Sequence, residues 1–252
     1  MEWLVIGLSS FLGLIAPVGV VGDRLLEQQI RQRVHRVDAL TVQVTAVPTY
    51  KLAQGQMDQL RLSATGLSPI QDVRLEKLEL ETDGIVLKSL KKNKLARPLN
   101  LGAHIILTEA DLNRAIATPK IAAKLRNIQF QAFPGAKESE YSFNNVVIDL
   151  QPNRQILIRA DLAEKGYSEI LKLELQAKLE LKGDRSAIQL TNLTATADGQ
   201  PMPQPIVTAF TKAIDRTLDL TQLEKRKMTA RMVQLETTDS GLDLAAIVQI
   251  RP

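Results

Sequence analysis

The chain reads as an α+β protein in which a long, curved, mainly antiparallel sheet wraps around or packs on helices. Three observations predict this. Residues 171–182 run LKLELQAKLELK, apolar at every odd position and polar at every even one, the period of a strand with one dry face. Similar segments recur with short connections and no regular βαβ alternation, which favours antiparallel pairing. Two helical stretches, 108–125 and 206–220, then supply cover for the dry face.

Trp3–Val21 opens the chain without a charged residue. As a helix, roughly nineteen residues would span about 28 Å, close to a bilayer's hydrocarbon core. A membrane anchor, a cleaved secretory signal and a buried or interfacial helix are three readings of residues 1–22. The signal reading is weakened because Glu2, not a lysine or arginine, precedes the apolar run. Arg24, Arg31, Arg33 and Arg36 follow it, an excess that would hold this side in the cytoplasm if the segment spans.

Residues 23–252 read as one domain. Asp23 caps a helix expected to reach about Val37, with Leu26, Ile30, Val34 and Val37 as its apolar stripe. Strands follow at Leu40–Ala46 and Leu60–Ala64. In VRLEKLELETDGI (73–85), Val73 and Leu75 share one face but Leu78 and Leu80 are out of step with them. That phase change at Glu76–Lys77 predicts a one-residue bulge. Leu99–Leu107 is a further strand. Thr108 with Asp111 three residues on resembles a capping box, and Pro119 starts a second short helix. Strands return at 127–133, 141–150, 155–162, 169–182 and 187–197. PMPQP at 201–205 breaks the pattern before the second helical stretch. A hairpin, 228–237 with 242–250, turns at Asp239-Ser240-Gly241.

Composition narrows the chemistry. Of 252 residues 44% are hydrophobic but only 4% aromatic, so the core is aliphatic. There is no cysteine, which removes disulfides and thiolate chemistry, and only two histidines, His35 and His104. No phosphate loop, nucleophile elbow, zinc signature or calcium loop occurs, so no cofactor, no metal and no catalytic residue is expected. The net charge of +4 suits anionic surfaces. Without aromatics among the basic residues or a nucleic-acid motif, nucleic acid is the weaker partner and anionic lipid the better one. The most basic run, KSLKKNKLAR at 88–97, places Lys91, Lys92 and Lys94 as membrane-surface contacts against a plain solvated turn.

LSSFLGLIAPVGVVGDRLLEQQIRQRV (8–34), VRLEKLELETDGI and LTEADLNRAIATPKIAAKLRNI (107–128) together resemble the LmeA-like phospholipid-binding family in its cyanobacterial form. The resemblance covers nearly the whole chain, and the LTEADLNRAI block carries most of it. It implies a design similar to tubular lipid-binding proteins, with phospholipid as ligand, no enzymatic activity and a membrane-associated place in the cell envelope. On either route the dry faces become the site. Leu60, Leu62, Ile156, Ile158, Leu173, Leu175, Leu179 and Leu181 are expected to line an aliphatic slot for acyl chains. An anchored scaffold with a fully plugged core and an envelope enzyme built from scattered carboxylates are the alternatives.

Overall fold

The computed structural model describes residues 23–89, 94–126, 128–130, 139–202, 204, 207, 208, 211, 215 and 218–252. The first helix, α1, covers Asp23–Arg33. Its stripe puts Leu26 and Ile30 into the core at 2% and 1% exposure. It stops four residues short of Val37 because sheet pairing takes the backbone over. His35 donates to the Ser68 carbonyl at 2.9 Å, and Ser68 donates to the Arg36 carbonyl at 2.7 Å.

Strands β1 (Ala39–Thr45), β3 (Gln59–Ile70), β4 (Val73–Thr82), β7 (Leu99–Leu107), β14 (Met228–Thr238) and β15 (Gly241–Ile250) form one six-stranded sheet, in the order β1-β3-β4-β7-β15-β14. The second six-stranded sheet, in the order β13-β12-β11-β10-β9-β8, is built from β8 (Ile128–Phe130), β9 (Ser139–Gln151), β10 (Gln155–Glu164), β11 (Ile170–Leu181), β12 (Ile188–Ala197) and β13 (Gln200–Pro201). A three-stranded appendage joins β2 (Gln56–Met57), β5 (Ile85–Ser89) and β6 (Lys94–Leu95). All pairings are antiparallel.

Mainly antiparallel sheet with a few helices is the expected class, but the strands divide between two sheets where one long sheet was expected. The division falls where α2 (Glu109–Ala117) and α3 (Pro119–Ala122) interrupt the meander. The last hairpin then returns to pair with β7 (Leu242↔Leu107 to Ile250↔Leu99) and completes the first sheet. Gly241, at φ +127°, makes that return possible: a Cβ there would lie 2.1 Å from the Leu107 carbonyl oxygen.

The phase change at Glu76–Lys77 is present: Val73 and Leu75 are buried, then Leu78 and Leu80. The bulge expected there is not. β3 and β4 pair without a slip from Arg61↔Glu81 to Leu67↔Leu75. Both strands switch faces together, because Gly66 opposite this point adopts φ +62°. A Cβ on Gly66 would sit 2.0 Å from Asp38 Oδ2, so glycine suits both the backbone angle and the close approach of that side chain. Register shifts do bend the long strands elsewhere, between Arg159 and Asp161 beside Asn145 (φ +50°) and between Gln176 and Lys178 beside Asn192 (φ +51°).

One apolar cluster joins the two sheets and α1, from Leu26 and Leu62 through Leu101 and Leu175 to Val248. A second, smaller cluster lies on the far half of the second sheet around Tyr141, Ala160, Leu162 and Leu173. Among the described residues no helix is long and apolar enough to cross a membrane. The expected apolar helix at 1–22 lies outside the described residues, as does most of the expected helix at 206–220.

Candidate functional site

Strand pairing alone assembles an apolar ladder on the inner face of the second sheet. Between β10 and β11, Ile156 faces Ala177, Ile158 faces Leu175, Ala160 faces Leu173 and Leu162 faces Leu171. β12 adds Ala195 opposite Leu175 and Ala197 opposite Leu173. β9 adds Leu150, Ile148 and Phe143 opposite Ile156, Ile158 and Leu162. Midway, leucines stand beside alanines: Ala160 and Leu173 belong to the smaller cluster, with Ala197 packed against it, whereas Ala195 and Leu175 belong to the main one. Phe143, Val146, Leu171, Ala197 and Met202 are only partly buried against the second cluster. Chemically this face offers dispersion contact and little else.

Polar groups sit at its margins. Tyr141 is 8% exposed. Burial pushes its phenol above the ordinary value, and the neighbouring Glu164 carboxylate adds to that. The opposite, wet face is tied by ion pairs, Lys172 to Asp161 at 2.7 Å and Arg159 to Asp149 at 3.4 Å. The Lys172 ammonium, then the Asn145 amide, holds the Asp161 carboxyl below its usual range.

The ladder's β9 edge is closed by side chains of α2. Asn113 Nδ2 donates to the Ile148 carbonyl at 2.8 Å, and Ile148 N–H donates to Asn113 Oδ1 at 2.7 Å. Leu150 N–H donates to Glu109 Oε2 at 2.8 Å. An amide side chain thus stands in for a neighbouring strand and satisfies backbone groups of an exposed edge. On its other side α2 is tied to the first sheet. Asp111, 2% exposed, accepts from Arg74 Nη1 at 2.7 Å and from Arg114 Nη1 at 3.0 Å. Thr108 caps the helix by accepting from Asp111 N–H at 3.1 Å. The Asp111 side chain therefore does not close a capping box; it serves the ion cluster. The LTEADLNRAI block is the strap that fastens one sheet to the other.

The expected slot residues are distributed over both sheets. Leu60 and Leu62, on β3, are 2% and 3% exposed and pack in the large cluster that includes Leu26 and Ile30. Ile156, Leu175 and Leu179 belong to the same cluster from the second sheet, with Ile158 and Leu181 partly buried against it. Leu173 lies in the smaller cluster. Register brings Ile158 and Leu175 face to face, with Leu173 next along β11. Lys94 is exposed on β6, whereas Lys91 and Lys92 lie outside the described residues. Sequence reasoning missed the alanines at the middle of the ladder and the clasp from Glu109 and Asn113. Their spacing of four on one helix face was a signal that both reach the same neighbour.

A groove of about 570 Å³ lies on the outer face of the first sheet, beside Ser63, Glu79, Glu81, His104 and Ile247. Ion pairs border it, Arg61 with Glu81 at 3.1 Å and His104 between Glu79 and Asp243 at 2.9 Å each. Val233, Ala245, Ala246 and Ile247 give the groove an apolar floor beside these charged groups. Among the described residues no group of His, Asp and Glu is arranged to hold a metal ion.

These features define a class: an α+β protein of two antiparallel sheets joined by an aliphatic interior. The model of the LmeA-like phospholipid-binding family matches residues 16–247, and the chain belongs to that family. No curated protein and no solved structure matches it.

Proposed function

We propose that the protein holds phospholipid acyl chains along the inner face of the second sheet and acts at a membrane as a lipid-binding or lipid-transfer protein. The observation that carries this is the second apolar cluster, distinct from the main core, in which Ala160 and Ala197 stand beside Leu162 and Leu173. A trough over short side chains leaves room for a flexible chain. Each buried methylene contributes about 0.8 kcal/mol, so ten would contribute roughly 8 kcal/mol before ordering costs. Family membership supports phospholipid as the ligand class. In this reading Ile158, Leu173 and Leu175 line the trough directly. Ile156, Leu179 and Leu181 continue it toward the main core, while Leu60 and Leu62 support it from the facing sheet.

The test is native mass spectrometry of the full chain after mild purification, parent beside Ala197→Phe. Phenylalanine should fill the trough, at a packing cost of about 1–3 kcal/mol, and the variant should lose co-purified lipid while keeping the parent's circular dichroism. A folded variant that retains a normal lipid load would sink the trough. A parent that carries no lipid under any mild condition would favour the plugged scaffold.

A further inference from the structure

The β2-β5-β6 appendage, with the loop entering it from β1, differs from the rest of the surface. Val47 and Tyr50, three residues apart, are 70% and 64% exposed. They lie in and just before the 3-10 turn Thr49–Gln54, which leads through Gly55 into β2. Leu87 N–H of β5 donates to the Gly55 carbonyl at 2.9 Å, so turn and appendage form one body. That body also displays Lys88 on β5 and Lys94 on β6, both exposed. Aromatic and aliphatic side chains beside lysines are the chemistry of a bilayer interface. The ring and the branched chain enter the headgroup boundary while the ammonium groups meet phosphates.

A third feature converges on the same end. Val44 N–H donates to Asp23 Oδ1 at 2.9 Å, which ties the first residue of α1 three positions before Val47. The chain therefore enters the described structure at this end of the first sheet, with Arg24 exposed beside it. In the sequence Asp23 is preceded by the uncharged run Trp3–Val21. Entry point, apolar pair and exposed cations all belong to one end.

We propose that this end is the membrane-docking face, and that Val47 and Tyr50 enter an anionic phospholipid bilayer while Lys88, Lys94 and Arg24 contact its phosphates. The inference deepens the lipid-binding reading and rests on it for the identity of the surface. A second exposed pair, Tyr167 at 68% and Ile170 at 55%, flanks the β10–β11 turn. Its neighbours Lys165 and Lys172 are engaged by Glu140 and Asp161. That pair has apolar surface with its adjacent cations already paired, which makes it the internal control.

The chain has no cysteine, so single thiols report cleanly. Val47→Cys and Ile170→Cys in the full chain are labelled with an environment-sensitive fluorophore. Each is mixed with vesicles of phosphatidylcholine, or of phosphatidylcholine and phosphatidylglycerol in equal parts. The expected result is a blue shift at position 47 that is larger on the anionic vesicles, with none at position 170. Adding Tyr50→Ser should shrink the shift. Lys88→Gln with Lys94→Gln should shrink it at low salt, and the difference should fade at high salt. Aqueous emission at position 47 on vesicle-bound protein, a shift at position 170 instead, or no association with either vesicle would overturn the proposal. Native mass spectrometry of the same preparations separates the two readings. Docking through position 47 by a chain that carries no lipid removes the trough and leaves the docking face. Bound lipid with an aqueous position 47 does the reverse.

Discussion

Replacing Asp111 by alanine removes a buried carboxylate that ties α2 to the first sheet. The side chain is 2% exposed, with Oδ2 at 2.7 Å from Arg74 and Oδ1 at 3.0 Å from Arg114. Hydrogen bonds to charged groups contribute about 1.5–3 kcal/mol each, and breaking a buried ion pair typically costs about 3–5 kcal/mol. Two features lower the cost here. Arg74 keeps Glu76 at 2.7 Å, so its charge is not stranded, and the Arg114 side chain is 56% exposed and rehydrates. A loss of about 3 kcal/mol follows, or a fall in Tm of roughly 6–12 °C for a chain of this size. Asp111→Asn keeps the shape and one acceptor, and should cost about half as much. The assay is thermal unfolding of the full chain, with Asp149→Ala as an exposed control, since its partner Arg159 lies at 3.4 Å and surface pairs contribute roughly 0–1 kcal/mol. If Asp111→Ala melts with the control, the strap does not hold the sheets.

Two further predictions concern the interior and pH. Leu60→Ala, at 2% exposure in the main cluster, should destabilise by about 2–5 kcal/mol and lower bound lipid only slightly. Leu173→Ala in the smaller cluster should cost less and shed lipid, and equal melting with equal lipid load would argue against a trough. The His104 imidazole is held above its ordinary value of 6.5, first by the hydrogen bond to Glu79 and also by Asp243. Its contribution to stability is therefore fully present below pH 6.5 and is lost as pH rises through the folded-state value. Glu79 runs the other way. His104, then Lys77, lowers its carboxyl, and that contribution is lost as pH falls through the folded-state value. The melting difference between parent and His104→Gln should accordingly shrink from mildly acidic to alkaline pH. A difference independent of pH would mean that the imidazole acts only by packing.

Most strands were legible because their signal is local. The alternating run from Leu171 lies in β11 (Ile170–Leu181); the hairpin turn at Asp239–Ser240 and the Thr108 cap stand where their residue types require. Boundaries drifted where a distant partner competed for the backbone. α1 ends at Arg33 because Ser68 takes the hydrogen-bonding groups of His35 and Arg36. The bulge expected at Glu76–Lys77 failed for a related reason. The phase change was readable in β4, but Gly66 on β3 carries it, and only the pairing sets the two opposite each other.

The candidate site divides along the same line. Which leucines are dry follows from a period of two, because successive side chains on a strand point to opposite faces. Whether a dry leucine meets a helix, another sheet or short alanine side chains depends on register between strands far apart in the chain, which alternation does not encode. Leu60 and Leu173 carry the same local signal, and packing puts one in the main core and the other in the smaller cluster. His104 shows the limit most sharply. Its partners Glu79 and Asp243 are 25 and 139 residues away, and only the β4-β7-β15 order makes them neighbours. The sequence by itself determined the aliphatic, strand-rich character of the protein and its family; the tertiary structure decided the separation into two sheets, the strap between them and the division of the dry faces between two apolar clusters, because long-range pairing and packing set those contacts.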